Sequence, residues 1–242
     1  MLTIELERLG LQPGSRVLDV GCGDGRHTRP TRYLPGINAV ALDLGKDEVE
    51  RTAACLRELD ALEPAAGGSL PEAGPWAVVR GSGYELPFAS ATFDCVIISE
   101  VLEHLHHDDD ALDELSRVLK PDGILALSVP REGPEAVCWA LSKQYRNSPG
   151  GHVRIYRRIK LRRKLAEHGY KIFASHFAHA LHSPYWWLKC AVGTDNNDFL
   201  PVKIYHQFLM WDMMRRPLLT RLADRLLNPL IGKSVVFYAT KG

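Results

Sequence analysis

Long apolar runs are missing from this chain. Nowhere do its 242 residues hold about 18 consecutive apolar residues, so no stretch is long enough to span a bilayer as a helix. A secretory leader is not expected either, because the opening MLTIELERLGLQPG carries Glu5 and Glu7 where a basic head and an apolar core should stand. Cysteine pairs are lacking too. The five cysteines (Cys22, Cys55, Cys95, Cys138 and Cys190) are scattered, odd in number and include no C-x-x-C. That argues against a disulfide framework or a structural zinc and for a reducing, cytoplasmic setting. There is no internal repeat and no low-complexity tract. Net charge is nearly absent, at +1, but it conceals a split: residues 151–242 hold 16 Lys and Arg against 5 Asp and Glu, and residues 1–150 hold 14 against 24. The basic excess is densest in RIYRRIKLRRK, Arg154 to Lys164. It reads either as the solvated face of a helix or as a surface for anionic membranes, nucleic acid or a polyanionic acceptor.

What is present is an alternation. RVLDV, NAVALDL, AVV, FDCVIISE and GILALSVP are short β-branched or apolar runs, each followed by a turn signal or a helical pattern. Between them lie DEVERTAACLRELDALE from Asp47 and DDALDELSRVLK from Asp109, both with helical periodicity. Strands alternating with helices predict a parallel sheet covered on both faces. Asp109 or Asp110 is a candidate N-cap, KPDG at 120–123 is expected to stop that helix and turn into the next strand, and PAAGGSLPEAGP at 64–75 reads as a loop. The last third continues with one more helix and strand in HVRIYRRIKLRRKLAEHGYKIFASHF. A long aromatic segment follows, from about Ser183 to Gly232, before the closing strand SVVFYATK. Four of the five tryptophans (Trp139, Trp186, Trp187 and Trp211) fall after residue 138. A segment this apolar is expected to form a lid or an interface rather than a solvated linker.

The stretch VLDVGCGDGRH, residues 17–27, holds the main chemical signal. A G-x-G loop between a strand and a helix lets a ligand approach the backbone. Dinucleotide sites use G-x-G-x-x-G and seat a pyrophosphate at the helix N-terminus. Here the spacing is Gly21-x-Gly23-x-Gly25, with Asp19 before the loop and Asp24 inside it. Carboxylates there repel a diphosphate and suit a ligand presenting an ammonium, which points to S-adenosylmethionine (SAM). Asp43 ends the next strand, where a carboxylate can accept from both hydroxyls of a ribose.

VLDVGCGDG, VALDL, GYELPF, ATFDCVIISEVLEHL and LSRVLKPDGILALSVP together, in this order and spacing, resemble the class I SAM-dependent methyltransferases. The resemblance is greatest to the branch of the ubiquinone/menaquinone C-methyltransferases and many small-molecule O-methyltransferases. It covers about residues 5–130, and HVRIY…LRRKLAEHGYKI extends it to about 173. It implies an α/β Rossmann-like, doubly wound seven-stranded sheet, mostly parallel with an antiparallel last strand, and a helical aromatic lid inserted before that strand. It also implies one methyltransferase domain over 1–242: a SAM-binding core at about 5–130, an acceptor-side and lid region at about 131–232, and a closing strand at about 233–241.

Two departures stand out. The acid that the family places after the glycine of its GDAxxLPF motif is replaced within Gly81-Ser82-Gly83-Tyr84-Glu85, leaving Ser82 or Glu85 to meet the adenine. Pro30 and Pro35 fall where the first helix should run, so that helix is expected to be short or broken.

The resemblance implies these site residues. Asp19, Gly21, Cys22, Gly23, Gly25 and Arg26 hold the methionine end, Asp43 and Leu44 the ribose, and Ser82, Gly83, Tyr84, Glu85 and Leu86 the adenine. Ser99, Glu100 and Val101 lie beside the cofactor. Glu100 and His104, four apart, would share a face if helical; His104 is then near the methyl group or else a helix-start residue. Sugar O-methyltransferases of this fold place a basic histidine after the fifth strand, which makes His152 of GGHVRIY the first choice for general base, with a loop anchor as the alternative. Tyr156, Tyr185, Trp186 and Trp187 are candidate acceptor contacts or else core and interface. HLHHDDD, 104–110, reads as loop and cap, with Mg²⁺ on one or two of its groups left open.

The expected activity is O-methylation of a small-molecule or oligosaccharide hydroxyl, a mannoside included, in polysaccharide biosynthesis. The rivals are C-methylation of a quinone or lipid-like acceptor at a membrane surface, tRNA methylation, and a SAM-binding scaffold subunit without catalysis. Nucleic acid is the less favoured partner, while peripheral membrane contact and a homodimer stay open.

Overall fold

The computed structural model describes residues 2–62 and 74–242, so the loop read at 64–75 lies, apart from its last two residues, outside the described residues. Seven strands form one sheet: β1 Arg16–Val20, β2 Asn38–Asp43, β3 Trp76–Arg80, β4 Phe93–Ser99, β5 Leu119–Pro130, β6 Tyr170–Ala178 and β7 Ser234–Lys241. Their order is β3-β2-β1-β4-β5-β7-β6. Pairings among β1 to β5 are parallel, and β7 runs antiparallel to both β5 and β6, as the motifs implied. Strands covered on both faces lose the polar alternation, and β1 and β4 are accordingly near-continuous apolar runs. The two-residue period survives inside them. Leu18, Val20, Val96 and Ile98 pack on one face with Leu112 and Leu115, while Val17, Cys95 and Ile97 pack on the other with Ile4 and Leu9.

Three helices on the first half fix the strand ends. α1, Thr28–Arg32, has only five residues and ends ahead of Pro35, short as expected. α2 is Lys46–Leu62, with Asp47 and Glu48 in its first turn, where carboxylates suit the helix dipole. α3, Asp108–Val118, begins one residue before the reading from sequence, and that corrects the cap: His107 holds the N-cap position and no side chain caps it. The Asp109 and Asp110 carboxylates stay in the first turn, where the dipole favours them without a capping bond. KPDG also differs. Leu119 already pairs with Phe93 and Ile124 with Cys95, so the four residues bulge within β5, with Asp122 left-handed at φ 58°.

After β5 come α4, Glu132–Leu141, α5, Lys143–Arg146, and α6, Arg158–Glu167. The aromatic segment is helical: α7 His182–Val192, α8 Leu200–Arg215 and α9 Leu218–Ile231 stand between β6 and β7. Much of the basic run is paired locally. Arg157 meets Glu132, Arg163 meets Glu167, and Lys164 meets Asp108 and Asp109. No helix among the described residues is long and apolar enough to cross a membrane.

Candidate active site

The order 3-2-1-4-5 reverses direction between β1 and β4, which opens a crevice at the carboxyl ends of these strands. The glycine loop lies there. Gly21, Gly23 and Gly25 have φ of 69°, 54° and 72°, a left-handed run closed to most side chains. A Cβ on Gly21 would sit 2.3 Å from Val101 Cγ2, so the loop and the end of β4 are in direct contact. Gly23 faces open space. Asp43 joins the loop to β2: Oδ2 accepts from Gly23 N at 2.9 Å and Oδ1 from Gly45 N at 3.0 Å. Gly81 N donates to Asp43 O at 2.9 Å and brings in the end of β3. Each Asp43 oxygen keeps a lone pair for a further donor. Leu44, 68% exposed, projects beside it.

The two loop acids part company. Asp19 is buried and accepts from Thr28 Oγ1 at 2.6 Å; burial pushes its carboxyl up to about 6, against the pull of the Thr28 hydrogen bonds. Asp24 is 72% exposed and pairs outward with Arg51 at 2.8 Å. The acidic cradle therefore consists of Asp19 and Asp43 and not of Asp24. Cys22 is buried and its thiol pushed up to about 12 by that burial, so it packs and does not react. Arg26 is exposed at the loop's far end, and its charge bears on Asp19.

At the end of β3, Ser82 Oγ accepts from Tyr84 N at 3.2 Å and forms a local turn, with Gly83 inside it and Glu85 exposed. Tyr84 is 37% exposed, and its ring meets His107 edge-on. Leu86 departs from the expectation. Its side chain belongs to the core, its N–H donates to Glu114 at 2.8 Å and its carbonyl accepts from Arg117 at 2.9 Å, which leaves it nothing to offer a ligand.

The stretch 99–104 is not one helix. Ser99 ends β4, Glu100 is left-handed at φ 57°, and only Leu102–His104 form a 3-10 turn. Glu100 and His104 consequently do not share a helix face. Glu100 Oε1 accepts from Ser128 Oγ at 2.9 Å, Ser128 Oγ lies 2.9 Å from Ser99 Oγ, and Lys233 Nζ stands 4.0 Å from Glu100 Oε2. His104 turns instead toward the Gly150–Gly151 loop and His152. Their ring centroids are 4.9 Å apart, and His104 Nδ1 lies 2.9 Å from Gly150 O and 3.2 Å from Gly151 O.

Two glutamates that the sequence reading did not select complete this side. His152 Nδ1 lies 2.6 Å from Glu135 Oε1 on α4. Glu135 also accepts from Trp139 Nε1 at 3.0 Å and from Tyr145 OH at 3.3 Å. Glu103, 1% exposed, has no hydrogen-bond partner for either carboxylate oxygen, and Oε1 lies 3.9 Å from His104 Nε2 and 4.0 Å from His152 Nε2. Burial, then the charge of Glu100, holds its carboxyl well above the usual range. A cleft of about 700 Å³ opens onto His104 and His152 and is lined further by Tyr145, Trp186 and Lys189.

The loop carrying His152 is latched to the fold. Val153 N donates to Glu103 O at 2.9 Å, and Arg154 donates to His106 O at 2.6 Å and pairs with Asp108 at 2.5 Å. Tyr156 belongs to this latch. It is buried and donates to Asp108 at 2.5 Å, so it is a support and not an acceptor contact. Trp187 donates its indole N–H to Pro134 O at 3.1 Å and pins α7 to α4. Tyr185 packs among Trp186, Tyr205 and His206. Of the four aromatics expected at the acceptor, Trp186 is the one that lines the cleft with His152. HLHHDDD does not converge on one point. His106 and His107 are exposed, Asp108 is in the latch, and Asp109 meets Lys164 and His168. Those groups do not fit Mg²⁺.

Glycine loop, strand-end acids and sheet order together define a class, the SAM-dependent methyltransferases. The chain belongs to the methyltransferase-domain family, whose model matches residues 3–175. It is 31% identical over 156 residues to the sterol 24-C-methyltransferase erg6 of Schizosaccharomyces pombe, covering 64% of this chain and 35% of that protein. It is 30% identical to the O-methyltransferase resE of Aspergillus sclerotiorum, covering 50% and 42%. It is 33% identical to the ubiquinone/menaquinone biosynthesis C-methyltransferase UbiE of Pseudomonas aeruginosa, covering 51% and 44%. The match thus spans less than half the length of these relatives. The fold is shared with a geranyl diphosphate methyltransferase solved with SAM (TM-score 0.64, 15% identity, 98% of this chain and 82% of that one). It is shared also with the [4+2]-cyclase SpnF (TM-score 0.62, 19% identity, 97% and 77%). A cyclase on the same scaffold means that the scaffold alone does not choose the reaction.

Proposed function

We propose that this chain transfers a methyl group from SAM to a hydroxyl of a small-molecule or oligosaccharide acceptor, a mannoside among them, bound in the cleft beside His152. Gly21, Gly23, Gly25, Asp19 and Arg26 would hold the amino-acid end of SAM, Asp43 and Leu44 the ribose, and Ser82 to Glu85 the adenine; open space at Gly23 and the spare lone pairs of Asp43 support that fit. When bound, SAM supplies a methyl already activated by its sulfonium. What remains for the protein is alignment of the acceptor and care of its proton, since an alcohol is a poor nucleophile until that proton is shared.

The contact between His152 Nδ1 and Glu135 carries the reading. A carboxylate only accepts, so Nδ1 bears the hydrogen and Nε2 is left basic, 4.0 Å from Glu103 Oε1. Glu135 both orients the ring and stabilises the imidazolium formed when Nε2 takes the hydroxyl proton. Trp186 offers an aromatic face at the same cleft for a sugar ring or an apolar acceptor. Five free cysteines among the described residues keep a cytoplasmic location within the proposal. Purified protein incubated with methyl-labelled SAM and pooled glycan, lipid and RNA extracts tests it. Label should appear as an ether-linked methyl in the glycan or small-molecule fraction, and turnover by the chain alone would remove the scaffold rival.

One observation favours a second reading, C-methylation of a lipid-like acceptor at a membrane surface. Leu218, Leu222, Leu226 and Leu230 on α9 are 54–80% exposed and recur every four residues, with Arg221 and Arg225 on the same helix. Two of the relatives are named for sterol and quinone C-methylation. Flotation with anionic vesicles, together with label in a quinone or sterol fraction, would replace the first reading with this one.

A further inference from the structure

We propose that Glu103, His104 and His152 form a binding site for a divalent first-row transition-metal ion at the acceptor side of the cleft. The argument starts from the other ring nitrogens. His104 Nδ1 lies 2.9 Å from Gly150 O, and His152 Nδ1 lies 2.6 Å from Glu135 Oε1. A carbonyl and a carboxylate only accept, so both Nδ1 atoms carry the hydrogen and both Nε2 atoms present bare lone pairs. Both Nε2 atoms lie near Glu103 Oε1, at 3.9 and 4.0 Å. Glu103 is 1% exposed and neither of its oxygens has a hydrogen-bond donor.

Three acceptors thus surround one point inside the protein, and nothing among the described residues donates to it. A shared proton does not resolve this, because 3.9–4.0 Å is beyond hydrogen-bond reach. A metal ion does. With ligands at about 2.0–2.2 Å, it spans donor separations of roughly 3–4 Å. The three ligating atoms all lie within 4.8 Å of one another. The outer contacts are those that metal-bound histidines use, a carboxylate behind one ring and a backbone carbonyl behind the other. Glu100 and Glu135 add negative charge around the site. Two imidazoles and one carboxylate select zinc, manganese, iron or cobalt rather than magnesium, which prefers oxygen ligands throughout. His104 opens the HLHHDDD run, while Glu103 precedes that run and His152 lies 48 positions beyond His104, so the site uses one residue of the run and none of its aspartates.

The inference rests on the proposed placement of the acceptor beside His152 and deepens it. With the ion bound, Nε2 of His152 is a ligand and no longer the base. Held there by Glu103, His104 and His152, the ion would supply Lewis acidity that loosens the acceptor's hydroxyl proton. Without the ion, His152 takes that proton.

Cobalt is the probe. Protein stripped with EDTA and desalted is titrated with Co²⁺ and followed by its visible ligand-field band, with folding checked by circular dichroism. One equivalent should bind. Equimolar Mg²⁺ should not displace it. The half-exposed His104→Ala should lose the band, the near-isosteric Glu103→Gln should lose it as well, and Glu135→Gln should weaken binding about tenfold through the ring it positions. His106→Ala with His107→Ala should change nothing. Absence of a one-equivalent band in folded protein overturns the proposal, as does a band that survives His104→Ala or disappears with the His106/His107 pair. The two readings separate cleanly. Cobalt bound in this way without ether-linked methyl product sinks the proposed function alone; methyl transfer by protein that gives no band sinks the metal site alone.

Discussion

The two edges of the cleft are built from different materials. On the cofactor edge, backbone carries the geometry: three left-handed glycines, the N–H groups of Gly23 and Gly45, and the ends of β1, β2 and β3 meeting at Asp43. On the acceptor edge, side chains carry it: Glu103 and His104 after β4, Glu135 on α4, His152 on a loop, Trp186 on α7 and Lys233 before β7. A backbone cradle is tied to the sheet and tolerates little change while the sheet stands. A side-chain constellation can be rebuilt residue by residue over the same sheet, which is how one scaffold comes to serve methyltransferases and a cyclase alike. The edges should therefore respond separately to mutation, one in cofactor affinity and the other in turnover.

The largest effect tests that separation at its centre. His152→Ala should lower turnover about 10²–10⁴-fold, the range for loss of a group that manages a proton in the transition state, and leave SAM affinity by calorimetry unchanged. Ligand or base, His152 predicts this same split, and only the cobalt titration tells the two roles apart. A parallel fall in SAM affinity would mean that the two edges are one unit.

Next in size is the latch that carries His152. Asp108 is buried against Arg154, Tyr156 and Lys164; burial opposes its charge, but the three hydrogen bonds win and hold its carboxyl down to about 2. Asp108→Asn should cost about 2 kcal/mol of stability, read as a fall of roughly 4–8 °C in Tm. The sign with pH follows from the depressed value. The wild-type advantage is present in full above the ordinary carboxylate range near 3.8 and is lost as pH falls toward about 2, so the two Tm values should converge in acid. A gap that stays constant down to that pH would mean the pairing is not what the latch uses.

The same division explains what was legible in the sequence. The glycine loop, Asp43 and the sheet order could be read because they obey local rules: φ preferences, strand-end positions and a two-residue period. The shortness of α1 followed from Pro35 in the same way. Glu103 and Glu135 escaped because their roles depend on contacts 49 and 17 residues along the chain, to His152, and no period marks such pairs. A signal did exist. Each glutamate stands in an apolar setting, EVLEHL and PEAVCW, and a buried carboxylate requires a partner. Asp24, Leu86 and Tyr156 were misplaced for a related reason: position within a motif says which loop a residue occupies, not which way its side chain turns. Asp24 turned to Arg51, Leu86 to the core and Tyr156 to Asp108 because each found a better partner there than open cleft.

On the cofactor edge, Asp43→Ala should weaken SAM binding at least about tenfold, near 1.4 kcal/mol, with kcat at saturating SAM little changed. It removes a ribose acceptor and, with it, the hydrogen bonds that hold Gly23 and Gly45 together. Unchanged affinity would refute the ribose assignment.

The smallest effects discriminate within the adenine turn, where the family's acid is missing. Ser82 Oγ already accepts from Tyr84 N, so Ser82→Ala loosens the turn as well as removing a hydroxyl. A neutral hydrogen bond of this kind contributes about 0.5–1.5 kcal/mol, which sets the expected loss of SAM affinity at roughly two- to tenfold. Glu85 is exposed, and a solvated carboxylate gains little from one more weak contact, so Glu85→Ala should change affinity less than twofold. The reverse ranking in calorimetry would mean that Glu85 folds inward when SAM arrives, and that this corner of the otherwise backbone-built edge depends on a side chain after all.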